Sequence, residues 1–174
     1  SSRITKYRDH WVEGDKVVIQ MERCSETLLA VKDTFVNQSL PLRTWLVGAL
    51  KGVEFIHKNG IVHNDIKPDN LFAPVECEPL KLGDFGCSIN MNCKDSLKKA
   101  KPGADKYQAP EWGVGIRPRS DLTKLDIFSL GKTVSVLANG QMPNEISRIV
   151  NQMMSKDPND RPSAAEALKL LAKN

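Results

Sequence analysis

At 174 residues with 40% hydrophobic content, the chain can bury one sizeable core and is too short for two full domains. Its 25 Lys and Arg stand against 21 Asp and Glu, a net of +4 spread along the chain, so neither nucleic acid nor an anionic membrane is expected as a partner. No stretch approaches the roughly 20 uninterrupted apolar residues that a bilayer requires, and Ser1-Ser2-Arg3-Ile4-Thr5-Lys6 is not a signal-peptide segment, so the expectation is a soluble intracellular protein, nuclear or cytoplasmic.

Tyr7 to Val12 and Lys16 to Met21 are short β-rich runs flanking Glu13-Gly14-Asp15, which predicts a hairpin with a tight turn. From Leu42 the apolar residues Leu42, Trp45, Leu46, Ala49, Val53 and Ile56 fall at three-and-four spacing, and Asn59-Gly60 supplies a C-terminal stop, so a long helix packs on one face. Gly60 to Glu111 is rich in Gly, Pro, Asp and Asn and reads as loops with brief strands at Ile61-Val62, Leu71-Phe72 and Leu80-Lys81-Leu82. Ile127, Leu130, Val134 and Leu137 mark a second buried helix, and Ile146, Ile149, Val150 and Met153 a third. A last helix follows Ser163, which stands at capping-box spacing from Glu166.

The cysteines Cys24, Cys77, Cys87 and Cys93 include no C-x-x-C pair and read as reduced thiols. Cys87 and Cys93 lie closest in sequence and have no neighbouring His, so no zinc site is expected.

Phosphoryl transfer asks a protein to place a hydroxyl in line with a phosphorus and to neutralise phosphate charge, usually through magnesium held by oxygen ligands. His63-Asn64-Asp65-Ile66-Lys67-Pro68-Asp69-Asn70 fits H-x-D-x-x-x-x-N, and Asp84-Phe85-Gly86 fits D-F-G. Alone, His63 reads as a core histidine and Asp-Phe-Gly as turn chemistry. Together, 19 positions apart from Asp65 to Asp84 and joined by a strand pattern, they point to phosphate chemistry. Tyr107-Gln108-Ala109-Pro110-Glu111, Asp126-Ile127-Phe128-Ser129-Leu130-Gly131 and Arg161-Pro162 follow in order.

These islands, from Ile61 to Pro162, resemble the catalytic domain of eukaryotic protein kinases, mainly its large lobe. The resemblance implies an α+β, protein-kinase-like fold with a mainly helical large lobe over residues 25–174. Residues 1–24 are then a truncated small-lobe ribbon with the hinge. It implies an ATP-dependent protein kinase that uses Mg2+. Asp65 accepts the substrate hydroxyl proton, Lys67 steadies the transferring phosphate, and Asn70 and Asp84 are metal ligands. His63, Asp126, Glu111 and Arg161 are structural, Glu111 and Arg161 as a buried ion pair whose plain alternative is two solvated surface charges. Ile19-Gln20-Met21-Glu22-Arg23-Cys24, Lys81-Leu82-Gly83-Asp84-Phe85-Gly86-Cys87 and Lys124 to Gly131 are similar to stretches of the Wee family of mitotic-inhibitor kinases, and the first is shared with kinases of translation initiation factor 2. That likeness implies a tyrosine of a cyclin-dependent kinase as acceptor, Met21 as gatekeeper, hinge backbone groups of Glu22 and Cys24 on adenine, and Phe72 beneath the ring. For Met21 and Phe72 the plain alternative is core packing.

Two departures from the family pattern carry information. Asn64 replaces the arginine that in many kinases clamps a phosphorylated activation loop, so a loop ordered without phosphate is expected. Ala104 stands where serine/threonine kinases usually have a threonine, although Lys67 is of the serine/threonine type. The glycine-rich loop and the strand lysine paired to a helix glutamate have no counterpart in these residues. A small lobe or partner kinase is therefore implied as a further partner, and the alternative function is a non-catalytic kinase-lobe mimic that binds and regulates another kinase. Between Gly140 and Asn144 the family normally has a loop and a substrate-docking helix that this chain omits.

Overall fold

The computed structural model describes residues 1–34, 41–74, 79–114 and 119–173, and Cys77 lies outside them. Strands Tyr7–Glu13 (β1) and Lys16–Met21 (β2) form an antiparallel ribbon in the register Glu13 to Lys16 and Val12 to Val17, as the turn residues predict. Its residues are almost all exposed, Val12, Val17 and Ile19 among them. A short helix, Leu28–Val31 (α1), follows, its first turn capped by the Thr27 hydroxyl accepting from the Ala30 amide.

Pro41–Lys58 (α2) is the central helix. Trp45, Leu46, Ala49, Leu50, Val53 and Ile56 are all buried along one stripe, which is why the three-and-four spacing was readable. Each fully buried Leu or Ile stabilises the fold by about 1.5–3 kcal/mol, so Leu46→Ala at this seam is a disruptive single change. The helix stops because Gly60 adopts φ +74, a left-handed conformation that costs a residue without a side chain little.

Beyond it the chain makes two small antiparallel pairs. Ile61–Val62 (β3) pairs with Ile89–Asn90 (β6), and Leu71–Phe72 (β4) with Lys81–Leu82 (β5). The N-terminal residues extend the second pair: the Leu82 amide donates to the Arg3 carbonyl at 2.8 Å and the Thr5 amide to the Leu82 carbonyl at 3.0 Å. The stretch read as loops and strands also holds a helix, Lys94–Lys98 (α3).

Helices Arg119–Ala138 (α4), Asn144–Met153 (α5) and Ala164–Ala172 (α6) complete the body. Both halves of the capping box are made at α6, the Ser163 hydroxyl accepting from the Glu166 amide and the Glu166 carboxylate accepting from the Ser163 amide at 2.7 Å. α2 packs on α4 and α6, and α4 on α5. One core cluster joins Leu46, Ile66, Leu82, Ile127 and Leu130 to Ile149 and Leu171. A second, Val62, Ile89, Ala109, Leu122 and Leu125, lies under the segment that follows Gly86. The connection from α4 to α5 is a tight turn through Asn139 and Gly140, both at positive φ, without an intervening helix. The fold is α+β, with a helical body, one longer hairpin and four two-residue strands among the described residues.

Candidate active site

The loop between β3 and β4 is held from beneath by one carboxylate. Asp126, on α4 and fully buried, accepts from the His63 amide at 2.8 Å, the Asn64 amide at 2.8 Å and His57 Nε2 at 2.8 Å. A buried charge is tolerable only when its lone pairs are used in this way. The two amides need this partner because Asn64, at φ +64, turns the chain out of strand pairing. His63 donates from Nε2 to the Gly83 carbonyl at 2.9 Å, accepts from the Asp65 amide at 3.3 Å through Nδ1, and packs its ring on Phe85 at 4.8 Å. These partners fit a neutral imidazole protonated at Nε2, which ties the loop carrying Asp65 to the turn carrying Asp84.

Asp65 is nearly buried, and its carboxylate has three donors. Oδ2 accepts from Lys67 Nζ at 2.7 Å and Asn70 Nδ2 at 3.0 Å, and Oδ1 from the Ala104 amide at 2.8 Å. With about four lone-pair sites on a carboxylate, roughly one remains for an incoming hydroxyl. Burial pushes the proton affinity of Asp65 up, but the Lys67 ammonium, the Ala104 amide and the Asn70 amide together outweigh it and hold the group below the usual aspartate value. The hydrogen bond to Asp65 raises Lys67 above the usual lysine value against the effect of burial, and the charges of Asp65, Asp69 and Asp84 add to it. The site is therefore a carboxylate kept ionised beside an ammonium kept protonated. Gly103 makes the close approach possible, because a Cβ there would overlap the Asn64 carbonyl oxygen and press on Asp65.

Magnesium takes oxygen ligands in an octahedron that usually retains water and phosphate oxygens. Asn70 uses both amide hydrogens on Asp65, donating to its carbonyl at 2.8 Å and its carboxylate at 3.0 Å, so its amide orientation is fixed and its Oδ1 has no hydrogen bond among the described residues. Asp84, exposed and at φ +57, accepts from the Gly86 amide at 3.1 Å through Oδ1, leaving Oδ2 open. The Gly83 amide donates to the Asn70 carbonyl at 2.9 Å, so the two donor residues sit on adjoining backbone. This oxygen donor set fits the ion. Among the described residues no group of three His, Cys, Asp or Glu could hold a metal by itself.

The residues assigned to adenine lie on the chain leading from β2 to α1 and on β4. Met21 ends β2 and is half-exposed. The Glu22 amide is engaged by the Lys6 carbonyl at 2.8 Å, so only its carbonyl can serve a nucleotide. The thiol of Cys24 lies 3.9 Å from that same carbonyl. Phe72 sits against Gly83, whose added Cβ would come within 2.7 Å of the ring, and β4 is stitched to the hinge through Ala73 donating to Glu26 at 2.8 Å. Phe72 and the turn that carries Asp84 are thus in contact.

Arg161, fully buried, forms a bidentate pair with Glu111, NH1 to Oε1 at 2.6 Å and NH2 to Oε2 at 2.8 Å. It also donates to the carbonyls of Ser155 at 2.8 Å and Lys124 at 2.9 Å and stacks over Phe128 at 4.9 Å. Two participants were not anticipated. His57 joins Asp126 from the last turn of α2, and its place on the helix stripe one position after Ile56 was the available signal. The Glu22 carboxylate pairs with Lys81 Nζ at 3.0 Å, so the side chain of Glu22 ties the chain after β2 to β5. Burial works against its charge, yet the bonds from Lys81 and the Lys6 amide hold it below the usual glutamate value.

A helical body that presents an Asp-Lys-Asn loop beside an Asp-Phe-Gly turn, with the segment between them and Glu111 locked by Arg161, is the architecture of a protein kinase large lobe. A family model described as "Protein kinase domain" matches residues 1–148, and the chain belongs to that family. Within the family it is similar to Wee1-type kinases, among others. It is 31% identical over 184 residues to a membrane-associated tyrosine- and threonine-specific cdc2-inhibitory kinase, wee-1.3, of Caenorhabditis briggsae, covering 92% of this chain and 28% of that protein. It is 32% identical over 189 residues to a Wee1-like protein kinase of Oryza sativa subsp. japonica, covering 95% and 35% respectively. A Wee1-like protein kinase of Arabidopsis thaliana is 30% identical, with 95% and 36% covered. The chain spans about a third of the length of these curated relatives. No helix among the described residues is long and apolar enough to cross a membrane.

Proposed function

We propose that this protein transfers the γ-phosphate of ATP to a protein hydroxyl, the acceptor being a tyrosine of a cyclin-dependent kinase. In this reading residues 1–24 are the strand pair and hinge of a small lobe and residues 25–174 the large lobe. Asp65 aligns the acceptor hydroxyl and takes its proton as the new phosphorus–oxygen bond forms and the bond to the departing ADP oxygen breaks. Lys67 holds a phosphate oxygen, while Met21, Glu22, Cys24 and Phe72 frame the adenine. Asn70 and Asp84 would hold magnesium, which when bound offsets charge on the phosphates.

The observation that carries the reading is the set of donors on Asp65: Lys67 Nζ, Asn70 Nδ2 and the Ala104 amide, all within 3.0 Å. A group held ionised in this way works as a fixed hydrogen-bond acceptor, and it receives the proton only once the hydroxyl has become acidic through bonding to phosphorus. The likeness to kinases named for cdc2 inhibition supports the choice of acceptor.

The test is transfer of labelled γ-phosphate to an inactivated cyclin-dependent kinase, scored for phosphotyrosine and phosphoserine separately. Asp65→Asn is expected to reduce transfer by about 100- to 10,000-fold while leaving nucleotide affinity nearly unchanged. Serine labelling alone would overturn the acceptor and spare the kinase. Binding of the acceptor with no transfer under any metal condition would overturn catalysis in favour of a lobe that regulates another kinase by docking.

A further inference from the structure

Four lysines, Lys98, Lys99, Lys101 and Lys106, follow one another along the segment that leads from α3 to Tyr107, and all four are exposed. Within Lys98 to Lys106 the acidic residue is Asp105 alone. Lys98 approaches Asp95 at 3.7 Å in an exposed pair of little strength, and Lys106 lies over the Tyr107 ring at 5.7 Å. Lys99 and Lys101 have no ion-pair partner among the described residues. Four lysines against one acidic residue in nine positions repel one another, and a complementary partner would relieve that repulsion.

The place of the run gives it a use. The Ala104 amide donates to Asp65 at 2.8 Å, and the Lys101 carbonyl accepts from Asn64 at 2.7 Å. The backbone between Lys101 and Lys106 is therefore pinned to the residues that flank the acceptor position. Lys106 stands two residues beyond Ala104 and Lys101 three before it, within about 7 and 11 Å along an extended chain. A polypeptide that presents a hydroxyl to Asp65 would lie beside the backbone that these two hydrogen bonds anchor.

We infer that the strip Lys98 to Lys106 selects acceptor polypeptides whose hydroxyl residue is flanked by aspartates or glutamates. This rests on the reading of Asp65 as the acceptor site. Several separated ammonium groups on flexible stems match several carboxylates spread along a peptide. A single phosphoresidue is matched better by an arginine fork, and the strip contains no arginine.

The experiment measures fluorescence anisotropy of dye-labelled peptides of one length with a central tyrosine. The flanks are all glutamate, all glutamine, or glutamine with one phosphoserine, and no nucleotide is present. The glutamate peptide is expected to bind about tenfold more tightly than the glutamine peptide at low salt, and the difference should collapse near about 0.5 M salt, where charges are screened within a few ångströms. Changing Lys98, Lys99, Lys101 and Lys106 together to Gln should abolish the preference. Changing the exposed Lys51, Lys58, Lys169 and Lys173 together to Gln removes the same net charge and should keep it. Equal affinity for glutamate and glutamine flanks overturns the inference, as does an equal loss in both quadruple variants. A phosphoserine peptide that outcompetes the glutamate peptide overturns the choice of carboxylate. Because the readout is binding, a glutamate preference without phosphate transfer would sink the proposed catalysis and leave the strip standing, and transfer without the preference would do the reverse.

Discussion

The side chain of Asn64 donates to the carbonyl of Lys101 at 2.7 Å and to that of Cys87 at 3.2 Å, so one catalytic-loop residue clasps the activation segment at two points 14 residues apart. Where many kinases carry an arginine that waits for a phosphate, this chain has an amide whose partners are backbone carbonyls already present. The left-handed φ of +64 at this position favours the choice, because Asn is among the few residues with a side chain that tolerate it.

Two substitutions separate the clasp from the backbone preference. Asn64→Gly keeps the conformation and loses the two hydrogen bonds. Asn64→Ala loses both and adds about 1–2 kcal/mol of strain. Trypsin is expected to cut faster at Lys98 to Lys106 in both variants, with the larger fall in unfolding temperature confined to Asn64→Ala. A Gly variant as resistant as the parent would show that the segment is ordered by other contacts.

Glu111 and Arg161 make the second lock, at the far end of the same segment. Arg161 is fully buried and its guanidinium is shared between a carboxylate, backbone carbonyls and the face of Phe128. Glu111→Ala strands that charge, at a cost of about 3–5 kcal/mol, which for a chain of this size lowers the unfolding temperature by roughly 10 °C. Arg161→Lys should also destabilise, since an ammonium cannot reproduce the bidentate fork. An unchanged unfolding temperature in Glu111→Ala would remove the pair from the account of stability.

Features that depend on residues close in sequence were legible beforehand. The α2 stripe, the hairpin turn and the Ser163/Glu166 box each involve residues within a turn or two of one another, where backbone geometry alone brings them together. The loop motifs were legible because few residue types serve phosphate chemistry. The partnerships of His57 with Asp126 and Glu22 with Lys81 span 69 and 59 residues, and no periodicity encodes such a choice. Lys81 was read as one position of a strand, yet it is buried because a carboxylate from the hinge meets it there. The helix α3 was missed because Lys94-Asp95-Ser96-Leu97-Lys98 has a single apolar residue and so no stripe to read.

Asp65 and Asp84 should respond differently to loss of charge. Asp84 has one carboxylate oxygen on the Gly86 amide and the other open, whereas Asp65 is surrounded by protein donors. Asp84→Asn should therefore raise the magnesium concentration needed for half-maximal turnover and lower the rate with it. Asp65→Asn should leave that concentration almost unmoved while the rate falls. A titration of activity against magnesium at saturating ATP reads both quantities. Equal magnesium requirements in the parent and Asp84→Asn would take Asp84 out of the metal site.

The pairing of Lys67 with Asp65 sets a definite pH behaviour. Asp65 is held below the ordinary aspartate value of about 3.9, so its bonds stabilise the folded site fully above that value and are lost as pH falls through the lower, folded one. Lys67 is raised above the ordinary lysine value of about 10.4, so its contribution is complete below that value and lost as pH rises through the folded one. Neither group titrates between about pH 5 and 9, and on their account the turnover number should be flat across that window. Lys67→Met removes the strongest of the interactions that oppose the effect of burial on Asp65. The carboxylate then keeps its burial with less to offset it, and its proton affinity rises. In this variant the acid limb of the turnover profile should move to higher pH, on top of the general loss of rate expected if Lys67 holds phosphate as proposed. If the acid limb of Lys67→Met coincides with that of the parent, the ammonium is not what keeps Asp65 ionised, and the Ala104 and Asn70 amides must suffice.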